Sequence, residues 1–200
     1  MLEFKDATIT IGGKTLVSGL SFIAKDGEIT CVTGAEHSGK TTLLRTLMGF
    51  QPVGEGFVSV DGELLTVHSA QAFRRLMIYL PQEIQTLCHQ LRVPEAPVCE
   101  AEEDYVWNSL LPSVAPEERP ADLSPEEIFQ MAELTIGEDS GKQILIADEP
   151  AAHLTPELTG RLVALLQQQA EKGMTVLIAS RRPPLLAIAH QIIDLDKFSV

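Results

Sequence analysis

The sequence predicts an α/β fold: a mostly parallel sheet flanked by helices, with an N-terminal antiparallel β part and a small helical subdomain. Three observations carry that prediction. Apolar, β-rich runs such as "ILIAD" and "TVLIAS" alternate with amphipathic stretches in the second half of the chain, the pattern of parallel strands covered on both faces. A glycine-rich turn, "GAEHSGKT", joins one such run to a helical pattern. The first 33 residues read as strands joined by turn signals.

Taken in order, "ATITIGGKTLV" alternates around Gly12-Gly13, a hairpin signal. "GEITCVTG" is a turn followed by a short strand at residues 29–33. Helical periodicity follows in "KTTLLRTLMGF", with Gly49 as the stop. "GEGFVSVDGELL" is a second strand pair turning at Asp61-Gly62. "LMIYLPQE" is a short strand ended by Pro81. Residues 83–123 crowd prolines and acidic residues together and read as a helical, loop-rich insertion. In "ADLSPEEIFQ", Ser124 can cap a helix, Pro125 suits its first position and Glu127 completes a capping box. That helix should run from 125 to about 136. "KQILIADEP" is then a buried strand, and "PELTGRLVALLQQQAEKG" an amphipathic helix stopped by Gly173. "MTVLIAS" and "QIIDLD" complete the strands. The expected organisation is one domain over 1–200, with 1–82 and 137–200 forming the core and 83–136 the helical subdomain.

A hydrophobic fraction of 44% and a charged fraction of 22% are those of a globular protein. The net charge of −13 repels nucleic acid and anionic membrane surfaces. Any site for an anionic nucleotide must therefore make its own positive field. The three cysteines show no metal-binding spacing; Cys31 lies in an apolar run, Cys88 and Cys99 in polar surroundings. A reducing compartment suits them. The N-terminus is not expected to be a signal peptide. No run reaches the roughly 18 apolar residues of a spanning helix, so a membrane role would have to pass through another subunit.

The motif at residues 34–41 has the phosphate-loop pattern of Gly, four residues, then Gly-Lys-Thr. Glycines let backbone N–H groups turn toward phosphate oxygens, and the helix that follows adds its positive end. Lys40 supplies a charge for the β and γ phosphates, and Thr41 a hydroxyl for Mg²⁺. Glu36 and His37 are expected on the loop without assigned chemistry. Asp148 and Glu149 follow an apolar run directly, where open α/β sheets bind ligands. There Asp148 can hold Mg²⁺ through its waters, and Glu149 can polarise an attacking water. A simple strand-ending turn is the alternative, weakened by the phosphate loop upstream.

Together these motifs resemble the ATP-binding cassette (ABC) ATPase family over nearly the whole chain. The order is Walker A at residues 34–41, "YLPQE" with Gln82 as the Q-loop, a helical insertion, "LSPEE" at the signature, "ILIADEP" as Walker B, and "TVLIAS" before the switch position. The resemblance implies that Gly34, Ser38, Gly39, Lys40, Thr41 and Thr42 hold the phosphates of ATP. It implies Mg²⁺ at Thr41, Gln82 and Asp148, with Glu149 and Gln82 acting on the attacking water. An ordinary exposed Gln is the alternative for Gln82. The family further implies a sandwich dimer with another ABC ATPase, identical or not, and a membrane-spanning partner. This places the chain in the cytoplasm, peripheral to the membrane.

Four positions depart from the family. Its signature reads Leu-Ser-Gly-Gly-Gln; here it is Leu123, Ser124, Pro125, Glu126, Glu127. Pro125 has no N–H to offer a phosphate, and two carboxylates repel one. Arg181 stands at the switch histidine and cannot shuttle a proton at neutral pH. Ile11 replaces the adenine-stacking aromatic. "AAHLT" puts Thr155 where the family has Asp, and leaves His153 as a lone histidine suited to a surface role. Two functions compete: an ATPase subunit of a transporter, or a nucleotide-binding regulatory or assembly protein with little turnover. A non-transport ATPase acting on nucleic acid is disfavoured by the charge.

Overall fold

The computed structural model describes residues 1–83, 123–137 and 141–199. Two sheets share one body. The first is antiparallel: β1 (Leu2–Ile11), β2 (Lys14–Ala24), β4 (Phe57–Val60) and β5 (Glu63–Leu64), in the order β2-β1-β4-β5. Its two tight turns fall at Gly12-Gly13 and Asp61-Gly62, all four residues at positive φ, as two-residue hairpins require. The second sheet holds β3 (Ile29–Thr33), β6 (Met77–Leu80), β7 (Ile144–Asp148), β8 (Thr175–Ala179) and β9 (Gln191–Asp194), in the order β6-β7-β8-β3-β9. Every pairing in it is parallel.

The central parallel strands β3, β7 and β8 are buried on both faces, and the faces serve different cores. In β7, Ile144 and Ile146 pack with the antiparallel sheet and with α1 (Lys40–Leu47), through Leu43, Leu44 and Leu47. Leu145 and Ala147 face the other side, against α3 (Pro125–Gly137) and α4 (Pro156–Glu171). The alternation is the two-residue period of a strand converted into two cores. Two short helices, α2 (Ala70–Arg75) and α5 (Pro183–Ala187), are legible only in the fold. At five or six residues they carry too little periodicity to announce themselves.

Both helix stops expected from glycine are found. Phe50 N–H donates to Arg45 C=O at 2.8 Å across Gly49, whose φ is 71°. A Cβ at Gly49 would also lie 2.5 Å from the Ala70 Cβ, so glycine answers two demands there. Met174 N–H likewise donates to Gln169 C=O at 3.1 Å across Gly173. Thr155, which replaces the family's Asp, caps α4 by accepting Leu158 N–H at 3.3 Å.

Helix α3 buries Ile128, Phe129, Ala132 and Ile136 in the same core as β6 and α4. It thus shares its core with the parallel sheet, although the sequence reading grouped it with the insertion. Residues 84–122, including Cys88 and Cys99, lie outside the described residues. Cys31 is fully buried, and burial pushes its thiol up to about 11.

Ile146→Ala, at a fully buried position of β7, is expected to destabilise the fold by about 2–5 kcal/mol. Urea unfolding followed by circular dichroism would measure this, and a loss below about 1 kcal/mol would contradict the packing described.

Candidate functional site

Strands β3 and β7 flank β8, so the turns leaving β3 and β7 lie at the same end of the sheet. A cavity of about 800 Å³ opens there. Gly39, Lys40, Thr41 and Thr42 line it from the phosphate loop and the first turn of α1. Asp148, Glu149 and Gln82 line it from the ends of β7 and β6. The sequence-expected residues are thus brought together from three separate segments. Gly34 and Ser38 do not line the cavity. The Ser38 hydroxyl is buried and has no hydrogen-bond partner among the described residues.

Lys40 is 8% exposed. Its ammonium donates to the Gly34 C=O at 3.0 Å and to the Ala35 C=O at 2.8 Å. The loop therefore satisfies its own buried cation through carbonyl dipoles, and among the described residues no carboxylate forms an ion pair with it. Asp148 is 2% exposed. Burial raises its carboxyl pKa; the Thr41 side-chain hydrogen bond and the charges of Arg45 and Lys40 oppose that rise, while Glu149 adds to it. Its Oδ1 is buried without a partner. A buried, under-satisfied carboxylate is costly unless something cationic completes it. Asp148, Thr41 and Gln82 all line the cavity, and their side chains offer oxygen donors of the kind Mg²⁺ takes.

Glu149 adopts φ 43°, unusual for a residue with a side chain. Two bonds to the end of β8 hold it there. Its N–H donates to the Ala179 C=O at 2.8 Å, and its Oε2 accepts the Ser180 hydroxyl at 3.1 Å. The strain, about 1–2 kcal/mol for such a backbone, turns the carboxylate toward the cavity instead of continuing the strand. Ser180 is fully buried and also accepts Arg182 N–H at 3.2 Å. Arg182 in turn donates to the Ala152 C=O at 2.8 Å, tying the turn after β7 to the turn after β8.

Arg181, just after β8, is exposed and lines the cavity. Ile11 and Leu16 give the cavity an apolar wall. Glu36 and His37 are exposed on the loop, and His37 holds φ 65°. His153 is exposed and outside the cavity lining. Ser180, Arg182 and Leu16 were not found by sequence reasoning. A serine after a strand, one member of an arginine pair and a leucine in a hairpin carry no local mark of a site.

The helix start at Ser124 lies apart from this cavity. Ser124 N–H donates to Glu127 Oε2 at 2.8 Å, and Glu127 N–H returns to the Ser124 hydroxyl at 3.3 Å. The capping box is complete. These bonds, from the Ser124 N–H first and then its hydroxyl, hold the Glu127 carboxyl below its ordinary pKa.

Residues 17–152 match the ABC transporter family. The chain is 28% identical to an ABC transporter ATP-binding/permease protein of Mycobacterium tuberculosis, over 96% of this chain and 24% of that protein. It is 27% identical to the glutamine transport ATP-binding protein GlnQ of Escherichia coli (strain K12), over 98% of this chain and 88% of that one. Among solved structures it is similar to the ATP-binding cassette MJ0796, a dimer in a post-hydrolysis state bound to ADP and Pi. The TM-score is 0.69 at 19% identity, over 97% of this chain and 94% of that one, which establishes the fold. The chain spans 24% to 36% of the length of several of the relatives it matches.

Asp148→Asn is expected to stabilise the nucleotide-free protein at pH 7, by roughly 2–4 °C in Tm for each kcal/mol relieved. The folded carboxyl pKa is raised, so its favourable, protonated form is lost as pH rises through that value and the ionised form burdens the fold. The advantage of Asn should shrink as pH falls and the wild-type carboxyl protonates. Thermal unfolding at several pH values tests this; an Asn variant less stable at pH 7 would contradict it.

Proposed function

As the chain belongs to the ABC transporter family, we propose that it is an ATP-binding subunit that hydrolyses Mg-ATP to drive a separate membrane-spanning subunit. The observation that carries this reading is the convergence of Lys40, Asp148 and Glu149 on one cavity at the carboxyl end of a parallel sheet. Residues 1–200 form a single ATP-binding domain in this reading.

Lys40 exchanges its loop carbonyls for phosphate oxygens, a stronger charge-assisted bond. Gly39, Thr41 and Thr42 present the helix N-terminus to the phosphates. Thr41, Asp148 and Gln82 would hold Mg²⁺, which when bound would neutralise phosphate charge. Glu149 accepts a proton as water attacks the γ-phosphorus; the bond to the β-bridging oxygen breaks, leaving ADP and phosphate. Ser180 holds Glu149 Oε2, which leaves Oε1 to face the water. Ile11 and Leu16 offer the base apolar contact in place of a stacking ring.

Among the described residues no helix is long and apolar enough to cross a membrane, in keeping with a subunit that works from the cytoplasm through a partner. Its partner in a cassette dimer carries a competent signature that this chain lacks. Here Ser124 and Glu127 spend their polar groups on each other, Pro125 offers no N–H, and Glu126 is exposed. The chain thus pairs best with a non-identical ABC ATPase.

Lys40→Ala should abolish nucleotide binding, and Glu149→Gln should keep binding while removing turnover, read as phosphate release with and without candidate partner cassettes. Turnover indifferent to Glu149 in every combination would sink the ATPase reading. Replacing Pro125 and Glu126 together by Gly should strengthen ATP-dependent self-association, measured by light scattering; no change would contradict the account of the partner.

A further inference from the structure

Asp196, outside every motif, makes the one side-chain bond to the phosphate loop that comes from the far end of the described chain. It lies in the 3₁₀ turn Leu195–Phe198 that follows β9. Both its carboxylate oxygens are 3.0 Å from the Ala35 N–H, a forked bond across 161 positions of sequence. The sheet makes this reach possible. Strands β9 and β3 are parallel neighbours with Thr33 opposite Asp194, so the turn leaving β9 lies over the loop leaving β3.

Asp196 is itself held. Its N–H donates to Asp194 Oδ1 at 3.2 Å, and its C=O accepts the Ser199 hydroxyl at 2.9 Å. Gly34 makes room for it: a Cβ there would lie 3.2 Å from Asp196 Oδ1 and 2.6 Å from the Ser38 hydroxyl. The Gly34–Ala35 peptide is then gripped at both ends by opposite charges. Its N–H goes to the Asp196 carboxylate, and its C=O takes the Lys40 ammonium at 3.0 Å. In a trans peptide these two groups point opposite ways, so fixing the N–H outward aims the carbonyl at Lys40.

We propose that Asp196 is a positioning residue for nucleotide binding: by holding the Gly34–Ala35 peptide, it keeps the loop and Lys40 in the arrangement that receives phosphate. Its work is to accept a hydrogen bond. Its charge is incidental and, beside a polyphosphate, unhelpful. This rests on the proposed nucleotide site, and the test separates the two. Asp196 is exposed, so its replacement leaves the core untouched.

The affinity for N-methylanthraniloyl-ATP would be measured by fluorescence titration for the wild type and for Lys40→Ala, Asp196→Ala and Asp196→Asn. Loss of the hydrogen bond that orders the loop should weaken binding about tenfold in Asp196→Ala. Asp196→Asn keeps an acceptor oxygen and should stay within about threefold of the wild type. In turnover assays the alanine change should raise KM at an unaltered kcat. If Lys40→Ala loses binding while Asp196→Ala binds as the wild type does, or more tightly, the proposal is overturned and the nucleotide site stands. If Asn falls as far as Ala, hydrogen-bond acceptance is not its role and the proposal is overturned. If Lys40→Ala itself binds unchanged, the nucleotide-site reading fails, and the proposal with it.

Discussion

Two buried charges of opposite sign, Lys40 and Asp148, set the terms on which this molecule is built. Each is more than nine-tenths buried, and a buried charge is tolerated only where polar groups are aimed at it. Lys40 meets the carbonyls of its own loop. Asp148 meets the Thr41 side chain and keeps one oxygen without a partner. Neither arrangement would survive on a flexible turn. Asp148 ends β7, and Lys40 opens α1 just beyond β3; both strands are buried on both faces, between two apolar cores. The cores are what hold under-satisfied charges in place, and under-satisfied charges are what a polyphosphate and a divalent cation complete.

The same logic accounts for Glu149. A left-handed backbone at a glutamate costs energy, and the structure offsets it with bonds to Ala179 and Ser180 at the next strand. Ser180 is held in turn from Arg182, which reaches across to Ala152. The general base of the proposed reaction is therefore oriented by the turn that carries Arg181. A change at that turn would be felt at Glu149 through hydrogen bonds that are already in place.

The two faces of the proposed ATPase are unequally equipped. On the side of its own phosphate loop, Gly39, Lys40, Thr41, Thr42, Gln82, Asp148 and Glu149 line one cavity. At the start of α3, polar groups that would serve a partner's nucleotide are turned inward to finish a helix. A good capping box and a good anion site compete for the same serine, and here the helix has won. That competition, visible in four bonded atoms, is the physical basis for expecting an unlike partner.

The phosphate loop, the acidic pair, the hairpin turns, the glycine stops and the capping box at Ser124 were legible in the sequence. Each is a local device: its residues are neighbours, and spacing alone tells what they can do. The central parallel strands β7 and β8 were legible too, because burial on both faces leaves an apolar run. What the sequence did not carry were Ser180 on Glu149, Arg182 on Ala152 and Asp196 on Ala35. These pairs are separated by 31, 30 and 161 positions, and nothing in their own surroundings marks them. Nor did local pattern show that α3 shares its core with the parallel sheet. The sequence by itself determined which residues have the chemistry proposed for phosphate binding and proton transfer, since that is a matter of residue type and spacing. Only the order of strands in the sheet decided which distant side chains would hold those residues in position, because hydrogen bonds follow distance in space.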